Sequence, residues 1–389
     1  MKPRILVLCD FYLPGFKGGG GMWTVVNLVN RFCDKYDFFV VARNYDGRDD
    51  MKPYSEVKTG EWNDVGNAKV FYLSDSMMRE SVLTEIVTEV SPKIVFLNAF
   101  FATPSILFSF ARWKGKNAEV PVILAPCGNL SEEAINLKPF KKRAFIVLSR
   151  FIGFHKDIIW KASSDLEKKE ILNAVGSQAD VRIAPDLPPQ EILPEFSFEQ
   201  KPAKSQGEAR LACVSRVVKK KNLDFLLTAL STITDRNITL DIVGLQEEQW
   251  YWEKCRSIIS TLPPNIKVNA VGGVRYDEAL KYMVNSHFFV LPTLNENFGY
   301  VFIEAMAAGC PLMISDRTMW NGLREKGIGW NLPLDSAERW VDVIRKCCDM
   351  GRDEYAVMSQ NARKYAVEWL SDPSVEAATA KILEEVIGS

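Results

Sequence analysis

Histidine is scarce in this chain, which has only His155 and His287 among its 389 residues. His287 begins the apolar run HFFVLPT, so we expect a hydrogen-bonded core or edge residue rather than a catalytic base. His155 lies within a basic segment. We therefore identify no general base in the sequence.

Net charge, metal-type cysteine spacing and long apolar runs are missing as well. The 48 basic residues nearly balance the 49 acidic ones, so no global charge indicates nucleic-acid binding. The eight cysteines include no CxxC pair, and several stand in apolar segments, which predicts reduced core residues of a cytoplasmic protein. No apolar stretch approaches the roughly 20 residues that span a bilayer. The first apolar run, ILVLC, is expected to be a strand rather than a signal peptide.

Strand-like and helix-like apolar patterns alternate along the chain, which predicts layered α/β domains. The strand candidates are RILVLC, FFVVAR, KVFYL, KIVFLN, VPVILAP and KDIIWKAS, followed by LACVS, ITLDIVG, IKVNAVGG, HFFVLPT and PLMIS. Residues 185–209 separate the two series, and they carry five prolines without sustained periodicity. We interpret this segment as an interdomain linker between two doubly wound domains.

The most informative stretch is residues 290–315, in which Glu296 and Glu304 flank a predicted strand-to-helix turn at Asn295–Gly299. A helix that begins near Gly299 points its free backbone N–H groups and its positive dipole end at the space above the turn, which favours an anion. Both carboxylates would then face one ligand that carries phosphate and hydroxyl groups. The alternative interpretation is that the acids only complement the helix dipole.

A second cluster comes from LACVSRVVKKKNLDFLLTAL, residues 211–230. The strand LACVS brings Arg216 to its carboxyl end, and Lys221 follows five residues later, before an apolar helix. Ligands of open α/β sheets bind outside the carboxyl ends of the strands, so two cations there suit a leaving diphosphate. Taken alone, the lysines would more often form a solvated face.

Together these residues resemble the GT-B glycosyltransferases of family 4, which are retaining enzymes that use nucleotide sugars, and the resemblance covers nearly the whole chain. It implies that Arg216 and Lys221 bind and neutralise the donor diphosphate. It also implies that Glu296 contacts the sugar and Glu304 the ribose. The loop amides that meet phosphate would belong to Asn297, Phe298 and Gly299. The resemblance implies no cofactor and no metal.

Three further segments fit this resemblance less specifically. Gly20 and Gly21 stand in the glycine-pair positions after the opening strand, although no GxGxxG or P-loop pattern follows it, and a flexible surface loop is the alternative. The turn that contains Gly272 and Val274 would meet the nucleobase. After ITLDIVG the chain continues with residues 245–247, Leu-Gln-Glu, without the second glycine common in the family, and PDLPP replaces the usual asparagine and glycine.

The implied domains are an N-terminal acceptor-binding Rossmann-like domain, a C-terminal nucleotide-sugar-binding Rossmann-like domain that faces it across a cleft, and a last helix crossing back to the first domain. Their predicted ranges are 1–190, 205–370 and 371–389. In APCGNL, Cys127 and Asn129 stand at the turn where some family members carry an acceptor-region histidine.

A basic segment, residues 138–156, interleaves cations with phenylalanines. Its candidate membrane-contacting cations are Lys141, Lys142, Arg143 and Arg150. Such a helix can lie in an anionic membrane interface. The alternative is a helix that packs its apolar face inside the domain and solvates its lysines.

We therefore expect a retaining hexosyltransferase that uses a nucleoside diphosphate sugar and a saccharide or lipid-linked saccharide acceptor, without nucleic acid. Residues 318–335 resemble a subgroup associated with bacterial surface polysaccharide assembly. A front-face mechanism, in which the leaving phosphate oxygen takes the acceptor's proton, removes the need for a protein base. The alternatives are a nucleotide-sugar epimerase of the same fold and a catalytically silent sugar-nucleotide-binding subunit.

Overall fold

The computed structural model describes residues 2–47, 51–136 and 138–388. The chain divides into two compact units: unit 1 comprises Met1–Pro189 and Asp372–Ser389, and unit 2 comprises Gln190–Ser371. Each unit is an α/β domain built around a sheet that is buried on both faces.

Unit 1 contains, over the described residues, an eight-stranded sheet in the order β3-β4-β2-β1-β5-β6-β7-β8. Its strands are β1 Arg4–Leu8, β2 Asp37–Arg43, β3 Trp62–Val65, β4 Ala68–Leu73, β5 Ile94–Asn98, β6 Val122–Ala125, β7 Ile158–Ala162 and β8 Asp180–Ile183. Its helices before the crossing are α1 Gly19–Phe32, α2 Glu80–Val90, α3 Thr103–Trp113, α4 Glu132–Asn136, α5 Pro139–Phe151 and α6 Asp165–Val175. The pairings are parallel except for the hairpin of β3 and β4.

Unit 2 contains, within the described part of the chain, a six-stranded parallel sheet in the order β11-β10-β9-β12-β13-β14. Its strands are β9 Glu208–Val214, β10 Asn237–Val243, β11 Ile266–Gly272, β12 Phe288–Leu291, β13 Leu312–Ser315 and β14 Gly329–Leu332. Its helices are α7 Leu223–Leu230, α8 Gln249–Ile259, α9 Tyr276–Val284, α10 Tyr300–Ala307, α11 Ala337–Asp349 and α12 Arg352–Leu370.

The strand order of unit 2 reverses between β9 and β12. From β9 the chain continues to β10 and β11 on one side, and it then returns to β12 on the other side of β9. The crevice at such a reversal, outside the carboxyl ends of the strands, is the usual ligand site of an open parallel sheet. The loops after β9 and β12 therefore lie where a ligand is expected.

The last helix, α13 (Pro373–Gly388), belongs to unit 1. Its residues Ile382, Leu383 and Val386 are buried in the same core cluster as β1 and α1. An ion pair of 3.1 Å between Arg31 Nη1 and Glu376 Oε2 joins α1 to the start of α13.

The proline-rich segment after Pro189 packs on unit 2. Buried Lys201 donates to the carbonyl oxygens of Met283 at 2.9 Å and Ala308 at 3.1 Å. Lys204 donates to the carbonyls of Cys348 at 3.0 Å and Met350 at 2.9 Å. The end of the segment is therefore an ordered part of unit 2, because two lysines fasten it to helix termini and a loop.

The predicted doubly wound α/β class is confirmed, and each predicted strand segment falls on an observed strand. The sequence did not indicate β3, β8 and β14. These strands are four residues long, and β3 and β8 are polar edge strands, so they lack the continuous apolar run of a central parallel strand. In the described residues, no helix is both long and apolar enough to cross a membrane.

Candidate functional site

The two predicted cations lie in the loop after β9. β9 ends at Val214, Arg216 follows two residues later, and Lys221 closes a single 3-10 turn, Lys219–Lys221, that leads into α7. Asn222 turns the chain into α7 with a positive φ of 58°. This geometry places both cations at the carboxyl edge of the sheet, as the sequence predicted.

Lys221 forms an ion pair with Glu296 from the loop after β12, and both side chains are largely buried. Burial alone would raise the pKa of Glu296, but the positive charges of Lys221, Lys220 and Arg216 outweigh it and hold this pKa below its ordinary value. Glu296 is therefore an ionised acceptor next to both predicted phosphate-binding cations. The strands on either side of the topological reversal thus supply one charged cluster.

The loop between β12 and α10 is fixed by backbone contacts. The Leu294 amide donates to the Lys220 carbonyl at 2.8 Å, which ties the loop to the 3-10 turn. Gly299 caps α10 with a φ of +72°, and a Cβ at this position would stand 2.6 Å from the Phe302 ring. Only glycine fits there without strain. The α10 N-terminus begins at Tyr300, one residue after the predicted start.

Phe298 and Asn297 stand in this loop, but they differ in exposure. Asn297 is half-buried, whereas the Phe298 side chain is buried against Trp320 and Trp369, with 5.5 Å between ring centroids in each pair. Trp320 also donates its indole N–H to the Phe298 carbonyl at 2.6 Å. Phe298 therefore anchors the loop. Trp320 was not predicted as a site residue, although it lies in the segment 318–335 that the sequence had set apart.

Glu304 lies in the second turn of α10, as predicted. Burial raises the pKa of Glu304 to about 7, while a hydrogen bond from the Tyr276 hydroxyl lowers it in part. Tyr276 is the first residue of α9 and was not predicted from the sequence. Its nearness to the predicted nucleobase turn, four residues upstream at Gly272, was the available signal.

Glu247 is a charged residue that the sequence did not assign to the site. Its carboxylate oxygens accept from Arg216 Nη1 at 3.1 and 3.2 Å, and both side chains remain partly exposed. The following residue, Glu248, accepts the Lys219 amide at 2.9 Å. The segment after β10 therefore gives the Arg216 guanidinium an anionic partner.

The turn predicted to meet the nucleobase lies at the end of β11. Gly272 has a φ of +85° and accepts the Gly244 amide at 2.8 Å, and Val274 is half-buried. A Cβ on Gly273 would come within 2.4 Å of the Leu245 side chain. Leu245 therefore packs directly on this turn.

The predicted glycine pair of unit 1 lies within the first turn of α1, not in a loop before it, because α1 begins at Gly19. The Gly21 carbonyl accepts from Asn98 Nδ2 at 2.8 Å, and the Gly20 carbonyl accepts from Thr24 at 3.1 Å. Asn98 ends β5, the neighbour of β1 at the strand-order reversal of unit 1. The hydrogen bond between Asn98 and Gly21 joins the end of β5 to the first turn of α1.

The side chains of the predicted acceptor-side turn after β6 form hydrogen bonds within unit 1. The Cys127 thiol donates to Asn98 Oδ1 at 3.3 Å, and burial raises its pKa well above the ordinary value. Asn129 Oδ1 accepts the Phe101 amide at 3.1 Å. Glu167 fixes the backbone of this turn, because its carboxylate accepts a hydrogen bond from the Gly128 amide at 2.7 Å.

The basic segment forms α5, whose four predicted cations differ in their surroundings. Lys141, Arg143 and Arg150 are exposed. Lys142 is half-buried, donates to the Ala134 carbonyl at 2.6 Å and stands over the Phe101 ring at 4.8 Å. Three of the four cations are thus available on the surface of unit 1, and Lys142 holds α5 to the unit.

His287 is fully buried and His155 is half-buried. His287 accepts the Arg210 amide at its Nδ1 at 3.0 Å, and burial lowers its pKa to about 3. His155 does not share the solvated character of its basic segment. It packs among aromatic rings, including Phe100 and Trp160, and burial lowers its pKa to about 4.

Comparisons with known proteins match these observations. Residues 195–365 match the family model described as Glycosyl transferases group 1. An uncharacterized glycosyltransferase of Methanocaldococcus jannaschii is 29% identical over 204 residues, or 50% of this chain and 50% of that protein. The chain matches half or less of the length of each of its curated relatives.

Solved structures align with the whole chain. Anabaena HepE in complex with UDP and glucose aligns with a TM-score of 0.69 and 17% identity over 100% of both chains. WaaG, a glycosyltransferase involved in lipopolysaccharide biosynthesis, aligns with a TM-score of 0.67 and 14% identity over 96% of this chain and 99% of WaaG. This likeness shows the GT-B fold with its two Rossmann-like domains.

Proposed function

We propose that this protein is a retaining glycosyltransferase that moves a hexose-type sugar from a nucleoside diphosphate sugar to a hydroxyl of a saccharide or lipid-linked saccharide. The observation that carries the proposal is the cluster of Arg216, Lys221 and Glu296 at the strand-order reversal of unit 2, with Glu304 in the helix that follows. The match of residues 195–365 to the family model described as Glycosyl transferases group 1 supports the reaction class.

In the proposed complex, the donor diphosphate binds Arg216 and Lys221 in front of the α10 N-terminus, whose backbone N–H groups add positive potential. Glu296 is ionised and accepts hydrogen bonds from the sugar hydroxyls, and Glu304 accepts those of the ribose. The complex of the structural relative HepE with UDP supports a nucleotide donor. No cofactor is part of the proposal.

The transfer itself breaks the bond between the sugar's anomeric carbon and the diphosphate oxygen. The acceptor hydroxyl forms the new bond on the same face, and its proton passes to the departing phosphate oxygen. Arg216 and Lys221 neutralise the charge that develops on that oxygen, which is the kind of preorganised stabilisation that lowers a barrier most effectively. The configuration at the anomeric carbon is thereby retained.

The proposed setting is bacterial surface polysaccharide biosynthesis in the cytoplasm. Two points support it: the likeness to WaaG over nearly the full chain, and the resemblance of the segment 318–335 to a subgroup associated with bacterial surface polysaccharide assembly. The acceptor would then be a growing saccharide, and unit 1 would bind it.

The first experiment incubates the protein with UDP-, GDP- and ADP-sugars without an acceptor. Slow release of free sugar and nucleoside diphosphate is the expected result. Formation of an epimeric nucleotide sugar would instead support the epimerase, and binding without any conversion would support a silent subunit. With a saccharide acceptor, nuclear magnetic resonance of the product should show the donor's anomeric configuration, and the opposite configuration would exclude retention.

The second experiment tests the site directly. Arg216→Ala and Lys221→Ala should each lower turnover by about 10²–10³, the scale for removing one preorganised charge partner of a transition state. The matched control is Lys267→Ala, an exposed lysine at the opposite end of β11 from Gly272. If both site variants kept the turnover of the wild-type protein, the proposed phosphate site would be wrong.

A peripheral membrane location is part of the proposal, and the surface of α5 supports it. Residues spaced along one side of this helix are apolar and exposed: Phe140 is 90% exposed, Phe151 87%, Val147 67% and Leu148 58%. Their positions repeat as i, i+7, i+8 and i+11, which defines one outward stripe. The inward side of α5 packs separately, through Ile146 and Ser149. We call the outward stripe the α5 face.

Exposed cations flank the α5 face, namely Lys141, Arg143 and Arg150. An apolar stripe with adjacent cations matches an anionic bilayer surface, in which phenylalanines enter the interface and cations meet the headgroups. Each phenylalanine could contribute about 1.5–3 kcal/mol and each cation about 1 kcal/mol. The proposed occupant of the α5 face is therefore an anionic membrane that carries the lipid-linked acceptor.

Sedimentation with liposomes tests this location. The wild-type protein should bind vesicles that contain phosphatidylglycerol more tightly than pure phosphatidylcholine vesicles, and high salt should weaken the binding. Phe140→Ser with Phe151→Ser should abolish binding, and Lys141→Gln with Arg143→Gln and Arg150→Gln should remove its salt dependence. The control Val357→Ser removes an apolar side chain that is 60% exposed on unit 2. A wild-type protein that ignores anionic vesicles at low salt would contradict the proposal.

A further inference from the structure

The contact between Tyr276 and Glu304 joins two elements of the donor-binding unit. Tyr276 begins α9, directly after the turn at Gly272 that ends β11, while Glu304 lies in α10. The Tyr276 hydroxyl donates a hydrogen bond to the Glu304 carboxylate. The residue that bonds the Glu304 carboxylate therefore follows the turn that is expected to meet the nucleobase.

Tyr276 keeps surface available to a ligand while its hydroxyl is engaged. Its side chain is 38% exposed, whereas the aromatic side chains of Phe298 and Phe302 in the adjacent loop and helix are buried. A tyrosine combines an apolar ring with a hydroxyl that usually finds a hydrogen-bond partner. Here a hydroxyl reaches the one carboxylate of α10 and the ring borders the surface.

From these contacts we infer that Tyr276 is a positioning residue for the ribose of the donor: its hydroxyl orients the Glu304 carboxylate toward the ribose hydroxyls. The inference rests on the proposed function and deepens it, because it identifies the residue that makes the site selective for a ribose. A carboxylate accepts up to four hydrogen bonds, so the Tyr276 hydroxyl fixes one oxygen direction and leaves the others for the two ribose hydroxyls.

The charge state of Glu304 depends on the same contact. Burial raises the pKa of Glu304 to about 7, and the Tyr276 hydrogen bond is what lowers it. The other charged groups of the surrounding elements are engaged or exposed: Lys221 pairs with Glu296, Arg363 of α12 donates to the Ala307 carbonyl at 2.7 Å, and Asp277 and Glu278 of α9 are exposed. Removing the hydroxyl should therefore raise the pKa of Glu304 and leave it more protonated at neutral pH.

The experiment measures binding of UDP, GDP and ADP and of their 2′,3′-dideoxy counterparts by calorimetry between pH 6 and pH 9. The ratio of the two dissociation constants reports how strongly the ribose hydroxyls are recognised. The variants are Tyr276→Phe and Glu304→Gln. The control is Tyr282→Phe, a half-buried tyrosine on the same helix.

For the nucleotide that binds, the wild-type protein should prefer the ribose form by about ten- to a hundredfold, the scale of one or two hydrogen bonds to a charged group. The preference should increase with pH through about 7, as Glu304 ionises. In Tyr276→Phe the preference should fall about tenfold at pH 7 and should recover partly at higher pH. The loss should not occur in Tyr282→Phe, and Glu304→Gln should remove the pH dependence.

Two failures can be distinguished. If none of the three nucleoside diphosphates binds, the proposed function and this inference both fall. If a nucleotide binds but Tyr276→Phe keeps the ribose preference and its pH profile, the proposed function stands and only the role of Tyr276 is wrong. Adding Tyr276→Phe to Glu304→Gln should cause no further loss of preference, and an additive loss would show that Tyr276 acts without Glu304.

Discussion

At the scale of single residues, the candidate site is defined by carboxylates that share two cations. Glu296 forms an ion pair with Lys221, and Glu247 forms one with Arg216. Each predicted phosphate-binding cation therefore already has an anionic partner within the protein. The two pairs differ in burial: both side chains of the Lys221–Glu296 pair are largely buried, whereas both side chains of the Arg216–Glu247 pair are partly exposed. A diphosphate therefore competes with Glu247 more easily than with Glu296.

Glu247→Gln should strengthen the binding of UDP. The change removes an exposed ion-pair partner of Arg216, and exposed pairs contribute ~0.5–1 kcal/mol, so the dissociation constant should fall about two- to fivefold. Calorimetry at low salt measures the effect, with Glu253→Gln on α8 as the control. Weaker binding in Glu247→Gln would mean that Glu247 contacts the ligand itself rather than competing with it.

Glu304 should make the stability of the protein decrease with pH. Its folded pKa of about 7 lies above the value near 4.5 of an ordinary glutamate, so the folded state binds more protons than the unfolded state between these pH values. The free energy of unfolding therefore falls as pH rises through this window, by on the order of 2–3 kcal/mol from this group.

Glu304→Gln should remove that part of the pH dependence. Urea unfolding of both proteins at pH 5 and pH 8 measures it, and the variant should gain stability relative to the wild-type protein at pH 8. An unchanged difference between the two pH values would show that Glu304 keeps an ordinary pKa.

At the scale of single elements, periodicity can predict that a segment is a helix but not which of its sides is buried. α5 illustrates this limit: its sequence favours an amphipathic helix, yet apolar residues lie on both its inward and outward sides. Which side packs depends on the neighbours, here Phe101 and the carbonyl of Ala134, which draw Lys142 inward. A helix pattern alone has no information on those neighbours.

The packing of α13 on unit 1 makes a prediction at this scale. Leu383 is 1% exposed in the unit 1 core, so Leu383→Ala should lower the free energy of unfolding of that unit by about 2–4 kcal/mol. Hydrogen exchange of β1 and α1 amides measures the loss. The control Lys381→Ala changes an exposed position of the same helix and should leave exchange unaltered. Equal exchange in both variants would contradict a core role for α13.

At the scale of the whole molecule, two units share the chain, and the proposed donor site lies in unit 2. A nucleoside diphosphate present at a hundredfold excess over its dissociation constant should stabilise the unit that binds it by about 2.7 kcal/mol. Hydrogen exchange should therefore slow in the β9, β11 and α10 segments. Slower exchange confined to unit 1 would assign the nucleotide to the other unit.

The sequence alone determined the fold class and predicted which residues would meet at the edge of the second sheet. Buried parallel strands need continuous apolar runs, and the residues that follow such strands reach the same sheet edge, so Arg216, Lys221, Glu296 and Glu304 could be identified from order and spacing. The polar edge strands β3 and β8 were not predicted because they lack a continuous apolar run.

Only the tertiary structure decided which side chains meet across elements. Glu247 reaches Arg216 over 31 positions, and Tyr276 reaches Glu304 from a different helix. The tertiary structure also packs Phe298 against Trp320, places the Lys142 ammonium at the Ala134 carbonyl and places His155 among aromatic rings. Local patterns reflect the burial period of one segment, whereas these contacts depend on how segments distant in sequence pack together, and the pKa values follow from that packing.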